Sequence, residues 1–269
     1  MLKIKEKLRP FSHTPGIRCL IPGTDKIVQA FPTKLIVESK EYPLPGPALE
    51  FTLMQDVERL CCVVFSKKYR LYIWPSGEVN ENKPPIVEQE RLFLGCTKKM
   101  EWEMMKRRMD MREILPLWFQ LGQRLKATGS FSLLEACQKA RPTDCMAAFT
   151  ALFRAGFSDM MVPRKRDEDF LGLCSDEVQG DPLVLLGEGS RLIRSFFLEG
   201  NRVLPALPPQ LISGKLLTKE IDLEWTKGQI RRVWVRTEEK PELQFSKKIK
   251  QYRVTKKGDM LYLLDRFEK

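Results

Sequence analysis

Histidine is nearly absent from this 269-residue chain, and His13 stands alone. One imidazole excludes every site built on two histidines, His-x-x-x-His zinc motifs among them. It leaves a Ser–His or Cys–His nucleophile only through that single residue. No Cys-x-x-Cys pair occurs among Cys19, Cys61, Cys62, Cys96, Cys137, Cys145 and Cys174. Their odd number and largely apolar surroundings read as reduced, buried thiols of a cytosol. Cys61 and Cys62 are adjacent, so in a strand they point to opposite faces and cannot chelate one metal together. No P-loop pattern is present, and Gly187-Glu188-Gly189-Ser190 lacks the third glycine of a dinucleotide fingerprint. No cofactor and no metal is expected. No apolar run approaches the roughly 18–20 residues that cross a bilayer. The opening residues alternate Lys, Glu and Arg with isolated apolar side chains, unlike the apolar core of a signal peptide. The expectation is a cytoplasmic protein without a membrane span. Internal repeats and low-complexity tracts are absent too.

Positive charge is abundant. Lys and Arg number 46 against 35 Asp and Glu, a net +11. The excess is spread along the chain, with local runs at Lys106-Arg107-Arg108, Arg164-Lys165-Arg166, Lys247-Lys248-Ile249-Lys250 and Lys3-Ile4-Lys5-Glu6-Lys7. Acidic residues follow the first two runs closely, and their fields cancel in part within a Debye length of about 8–10 Å. Solvated faces account for such runs more simply than a nucleic-acid track, which lacks an RNA-recognition or helix-turn-helix pattern here.

Periodicity divides the chain into β, α and β portions. Ile17–Ile21, Lys26–Phe31, Lys34–Val37, Leu49–Met54, Leu60–Phe65 and Tyr69–Trp74 read as strands, with Pro22-Gly23 and Pro75-Ser76-Gly77 as turns. Over Met100–Leu125 the apolar spacing becomes helical, with an interruption or restart predicted at Pro116. Ser132–Glu135 forms a capping box, and Asp144–Ala155 reads as a helix closed by Gly156. Asp181-Pro182 opens another helix reaching about Leu198, which Gly187 and Gly189 weaken. Glu220–Trp225, a Thr226-Lys227-Gly228 turn and Gln229–Arg236 make a hairpin, and Gln251–Leu264 a second one. The predicted class is α+β. An N-terminal antiparallel β-sandwich-like region spans 1–95, a small central helical bundle 96–200, and an antiparallel β-hairpin-rich region 201–269.

Carboxylates are the plentiful groups for acid–base chemistry. Glu101, Glu103 and Asp110 are the catalytic candidates, with Glu113 on the same helical stretch. An inverting glycosidase needs two carboxyls about 6.5–9.5 Å apart, one of them kept protonated by an apolar setting. Trp74, Trp102, Trp118, Trp225 and Trp234 offer rings for sugars or bases, but their spacing places most of them among core residues.

One stretch has a specific likeness. Leu204-Pro205-Ala206-Leu207-Pro208, then Gly214-Lys215-Leu216, then Asp222-Leu223-Glu224-Trp225 before Thr226-Lys227-Gly228, resembles the start of the C-terminal β-domain of inverting glycoside hydrolases of the α-L-fucosidase type. The likeness covers some 40 residues. It implies a structural role for Leu204, Pro205, Ala206, Leu207 and Pro208 at the exit from a helical barrel, followed by a strand–turn–strand carrying Asp222, Glu224 and Trp225. That family orders its domains as β-sandwich, α/α barrel and β-sandwich. Twelve barrel helices with their connections need roughly 190 residues, whereas residues 96–200 supply 105. The expectation is therefore a non-catalytic binding or scaffolding protein of reduced glycoside-hydrolase architecture. Its partners are a saccharide or another protein. A small glycoside hydrolase and a basic nucleic-acid-binding protein are the alternatives.

Overall fold

Strands with an apolar residue at every second position bury one face each, and the N-terminal region uses this to set two antiparallel sheets against each other. The computed structural model describes residues 2–7, 16–46, 50–96, 98, 100–125, 146–147, 149–150, 157–158, 162–163, 182–245, 252–258 and 261–266. In order across the first sheet lie β1 (Leu2–Lys7), β6 (Glu50–Asp56), β7 (Cys61–Phe65), β8 (Arg70–Ile73) and β9 (Val79–Asn80). The facing sheet is β2 (Ile17–Leu20), β3 (Ile27–Ala30), β4 (Lys34–Val37) and β5 (Lys40–Pro43). Ile17, Cys19, Val28, Ala30, Leu35 and Val37 from this sheet meet Phe51, Leu53, Cys62, Val64, Leu71 and Ile73 from the other in one buried layer. Gln55 ties the sheets together by donating from Nε2 to the Leu20 carbonyl at 2.7 Å. Cys61 and Val63 point the other way and join Met54 and Tyr72 in a separate apolar cluster on the outer face, as the strand period requires.

The helical stretch departs from the sequence reading at one point. Helix α1 (Trp102–Arg108) ends at Met109, which takes the left-handed conformation at φ 49°. Helix α2 (Met111–Gly122) starts at once, capped by the Asp110 carboxylate, which accepts from Arg112 N–H. The break thus precedes Pro116, which sits inside α2. Two favourable ends, a closed α1 and a capped α2, fix the break there, and burial of Ile114, Leu115, Leu117, Trp118 and Phe119 holds α2 together across the proline.

Helix α3 (Pro182–Ser195) begins with proline at its first position and packs on α2. Gly189 lies on that contact: a Cβ there would come within 2.6 Å of Trp118 Nε1. Gly122 leaves room in the same way for the Leu186 carbonyl. Two hydrogen bonds lock the approach. Trp118 Nε1–H donates to Leu186 O at 3.1 Å, and Ser190 Oγ–H to Phe119 O at 2.8 Å. The glycine that weakens α3 locally is what lets the two helices meet. Ser132–Glu135, most of Asp144–Ala155, Gly156, His13, Arg164–Arg166, Lys247–Lys250, Cys137, Cys145 and Cys174 lie outside the described residues. Two short strands, β11 (Phe157–Ser158) and β12 (Val162–Pro163), pair with each other.

Five strands of residues 201–269 and one strand from within residues 1–95 form a six-stranded antiparallel sheet ordered β10 (Arg91–Phe93), β15 (Gly214–Leu217), β16 (Ile221–Thr226), β17 (Gln229–Arg236), β20 (Leu261–Arg266) and β19 (Tyr252–Lys256). Beside it, β13 (Leu198–Glu199), β14 (Arg202–Val203) and β18 (Gln244–Phe245) form a small sheet. The β16–β17 hairpin turns through Lys227 and Gly228, both at positive φ (52° and 68°), the geometry that suits strand twist. Rings in mutual contact link the helices to this sheet, from Trp118 through Phe149, Phe196 and Phe197 to Trp225. Trp102, Trp118 and Trp225 are fully buried, as their spacing predicts. The α+β class and the antiparallel terminal sheets agree with the sequence reading. Among the described residues no helix is long and apolar enough to cross a membrane.

Candidate functional site

Alternation along the six strands sorts the C-terminal sheet into two unlike faces. Leu216, Ile221, Leu223, Trp225, Ile230, Val233, Val235 and Leu264 face the core. Their neighbours face outward, and the strand register lines them up in rows. One row across all six strands reads Phe93, Lys215, Glu224, Arg232, Asp265, Arg253. The next reads Arg91, Leu217, Asp222, Trp234, Leu263, Thr255. Half-buried Trp234 therefore sits near the middle of a charged field. Arg236 Nη2 lies 2.5 Å from Asp222 Oδ2, Arg232 Nε 3.4 Å from Asp265 Oδ1, and Lys215 Nζ 3.5 Å from Glu224 Oε2. Lys257 Nζ stands 5.7 Å from the Trp234 ring centroid.

This arrangement supplies two things that a saccharide uses. An indole face stacks on the apolar C–H side of a sugar ring, and carboxylates and guanidinium groups beside it exchange hydrogen bonds with hydroxyls. Ion pairs this exposed contribute little to stability, so a ligand can replace them at small cost. The Asp222 carboxylate, hydrogen-bonded to Arg236, raises the guanidinium's affinity for its proton further and keeps it a permanent donor.

The residues highlighted by the sequence fall in three places. Asp222 and Glu224 lie on the outer face, while Trp225 points inward, stacks on Phe197 at 4.8 Å and donates from Nε1 to Leu211 O at 2.9 Å. Leu204, Pro205, Ala206, Leu207 and Pro208 connect β14 to the segment leading into β15. Leu204 is buried at positive φ (52°), and its N–H donates to Phe197 O at 2.8 Å. That bond continues the antiparallel pairing of β13 with β14 by one more residue pair.

Glu101, Glu103 and Asp110 lie around α1. Glu101 precedes its first residue, exposed Glu103 pairs with Lys106 one turn on at 2.6 Å, and Asp110 caps α2. The Arg112 guanidinium holds the Asp110 carboxyl below its usual range, assisted by the Arg112 N–H and by Lys98. A general acid needs the opposite displacement. Glu113, buried in the first turn of α2, receives two bonds from Arg108 (2.6 and 3.0 Å) and one from the Cys96 thiol (3.1 Å). Cys96, Asp110 and Glu113 thus bring three ligand-type atoms within 4.8 Å of one another. Arg108, Arg112 and Lys98 already neutralise both carboxylates, so the cluster reads as the brace of the α1–α2 corner. Of the basic runs, Lys106 and Arg108 are thereby tied to acidic neighbours.

Sequence reasoning named Trp234 among five candidate rings without singling it out, and missed Arg232, Arg236, Asp265 and Lys257. A signal for Trp234 was present: it lies between Val233 and Val235, and two valines facing the core force the residue between them outward. No family model, curated protein or solved structure matches the chain.

Proposed function

We propose that this chain is a non-catalytic saccharide-binding protein that holds its ligand on the outer face of the C-terminal sheet. The observation that carries this reading is Trp234, set between the Asp222–Arg236 and Arg232–Asp265 pairs with the Lys257 ammonium over its ring. Two further features support it. The Leu204–Pro208 exit and the β16–β17 hairpin follow one another as they do in the β-domain of α-L-fucosidase-type glycoside hydrolases, and strands flank a helical section too short for a complete barrel. Lysine and arginine outnumber carboxylates on the face, which favours saccharides bearing uronic acid or sulfate groups.

Calorimetric titration with a panel of α-linked neutral and acidic oligosaccharides tests the reading. Binding that falls about tenfold or more in Trp234→Ala, with the fold retained, is the expected result. Absence of heat with every glycan overturns it. So does release of reducing sugar from aryl glycosides that is lost on alanine substitution of Glu101, Glu103 or Asp110, because the protein is then a hydrolase. Tight binding to a DNA or RNA duplex that collapses with salt, without any glycan binding, assigns the basic surface to phosphate instead.

A further inference from the structure

The two facing N-terminal sheets bring together a pair of sulfurs that the proposed function does not use. Cys19 on β2 and Cys62 on β7 place their Sγ atoms 3.1 Å apart, inside ordinary contact for two sulfurs and about 1 Å longer than a disulfide bond. Both residues are fully enclosed, at 0% exposure. Only Cys62 of the adjacent pair can reach Cys19, since Cys61 faces the outer cluster with Met54, Val63 and Tyr72.

We propose that Cys19 and Cys62 are a disulfide-forming pair that clamps the two sheets to each other when the chain folds in the presence of a low-molecular-weight disulfide such as oxidised glutathione. One cysteine thiolate attacks the glutathione disulfide and releases one glutathione thiolate. The second cysteine thiolate attacks the protein sulfur of the mixed disulfide and releases the other. Two protein thiols are oxidised, one glutathione disulfide is reduced to two thiols, and the two protons leave with the glutathione. The exchange belongs to the open chain, because the folded protein shields both sulfurs and burial pushes the Cys62 thiol well up, away from the reactive thiolate.

Oxidation leaves no polar group stranded. The Cys62 thiol lies 3.5 Å from Leu20 O, but Gln55 Nε2 donates to the same carbonyl at 2.7 Å and continues to do so once the thiol proton is gone. The bond spans 43 positions of sequence, a loop long enough for the restriction of the unfolded chain to be substantial. In a glutathione-reduced cytosol the same pair remains as two buried thiols, packed as small apolar groups.

The test refolds the full-length chain from urea with mixed oxidised and reduced glutathione, or with dithiothreitol. Remaining thiols are then alkylated under denaturing conditions and the peptides mapped by mass spectrometry. The expected oxidised product is lighter by two hydrogens, yields a Cys19–Cys62 linked peptide and melts about 5 °C or more above the reduced protein. Dithiothreitol reverses all three changes, Cys61→Ser keeps them, and Cys19→Ser abolishes them. Where refolding is incomplete, native protein opened in sub-denaturing urea gives the same readout. Cys19 and Cys62 both recovered alkylated from protein refolded with mixed glutathione, or opened in sub-denaturing urea beside it, overturn the proposal. So does a linked peptide containing Cys61, or a melting shift that persists in Cys19→Ser.

Discussion

Two sheets of this molecule turn a tryptophan away from the main core, and they treat it differently. Trp74, just past β8, rests on Met54, Cys61, Val63 and Tyr72, and its Nε1–H donates to Asn82 O at 3.1 Å. Its neighbours are apolar, so the ring completes a second small core. Trp234 occupies a corresponding outward position on β17, but its neighbours in register are Asp222 and Leu263, with arginines and carboxylates in the adjoining row. An outward aromatic among apolar groups becomes packing, whereas one among exchangeable ion pairs remains available to a ligand. The identity of the surrounding residues decides the role, not the ring.

The sharpest way to break this contrast is to place a charge on each outer face. Val63→Asp buries a carboxylate without a partner and should cost about 3–5 kcal/mol in urea denaturation. Leu217→Asp, on the exposed face of the C-terminal sheet, should stay within about 0.5 kcal/mol by the same measurement. Truncating the rings comes next. Trp74→Ala should cost about 2–3 kcal/mol and leave glycan binding intact, while Trp234→Ala should cost at most about 1 kcal/mol and remove binding. Equal stability losses for the two would erase the distinction.

A smaller effect separates braced ion pairs from exchangeable ones. Asp110→Ala removes the α2 cap and should cost about 1 kcal/mol near neutral pH, with Asp110→Asn recovering most of it. The Arg112 guanidinium holds the Asp110 carboxyl low in the folded protein, so its charge lends stability above the ordinary carboxylate pKa of about 3.9. That contribution disappears as pH falls through the depressed folded value. Denaturation curves of wild type and Asp110→Asn should therefore differ most at neutral pH and converge in acid. The smallest change is expected for Arg232→Ala, within about 0.5 kcal/mol of wild type, because its pair with Asp265 is solvent-exposed.

Much of the fold was legible because strand alternation and turn residues are local. The β16–β17 hairpin follows from apolar residues at every second position and Lys227-Gly228 between them, and α3 from Pro182. The edge strand β1 was not legible: Leu2 and Ile4 are too few apolar residues to stand out, and its pairing with β6 supplies the missing information. The break at Met109 also escaped, since a methionine in the left-handed conformation is stabilised by what surrounds it, not by its own preference. The site divides likewise. Asp222 and Glu224 stood out in the sequence, but Arg232 meets Asp265 only through the register of β17 with β20, which joins residues 33 positions apart.

Strand β10 has a consequence of its own. By hydrogen-bonding to β15 it covers the backbone amides and carbonyls along one margin of the C-terminal sheet, although it lies more than 100 residues earlier in the chain. A fragment beginning near residue 201 loses that cover, leaving Leu216 and Leu217 on a bare border that invites another copy to add on. Expressed alone, the C-terminal portion should gather into oligomers, and supplying the 91–93 segment on a longer peptide should disperse them.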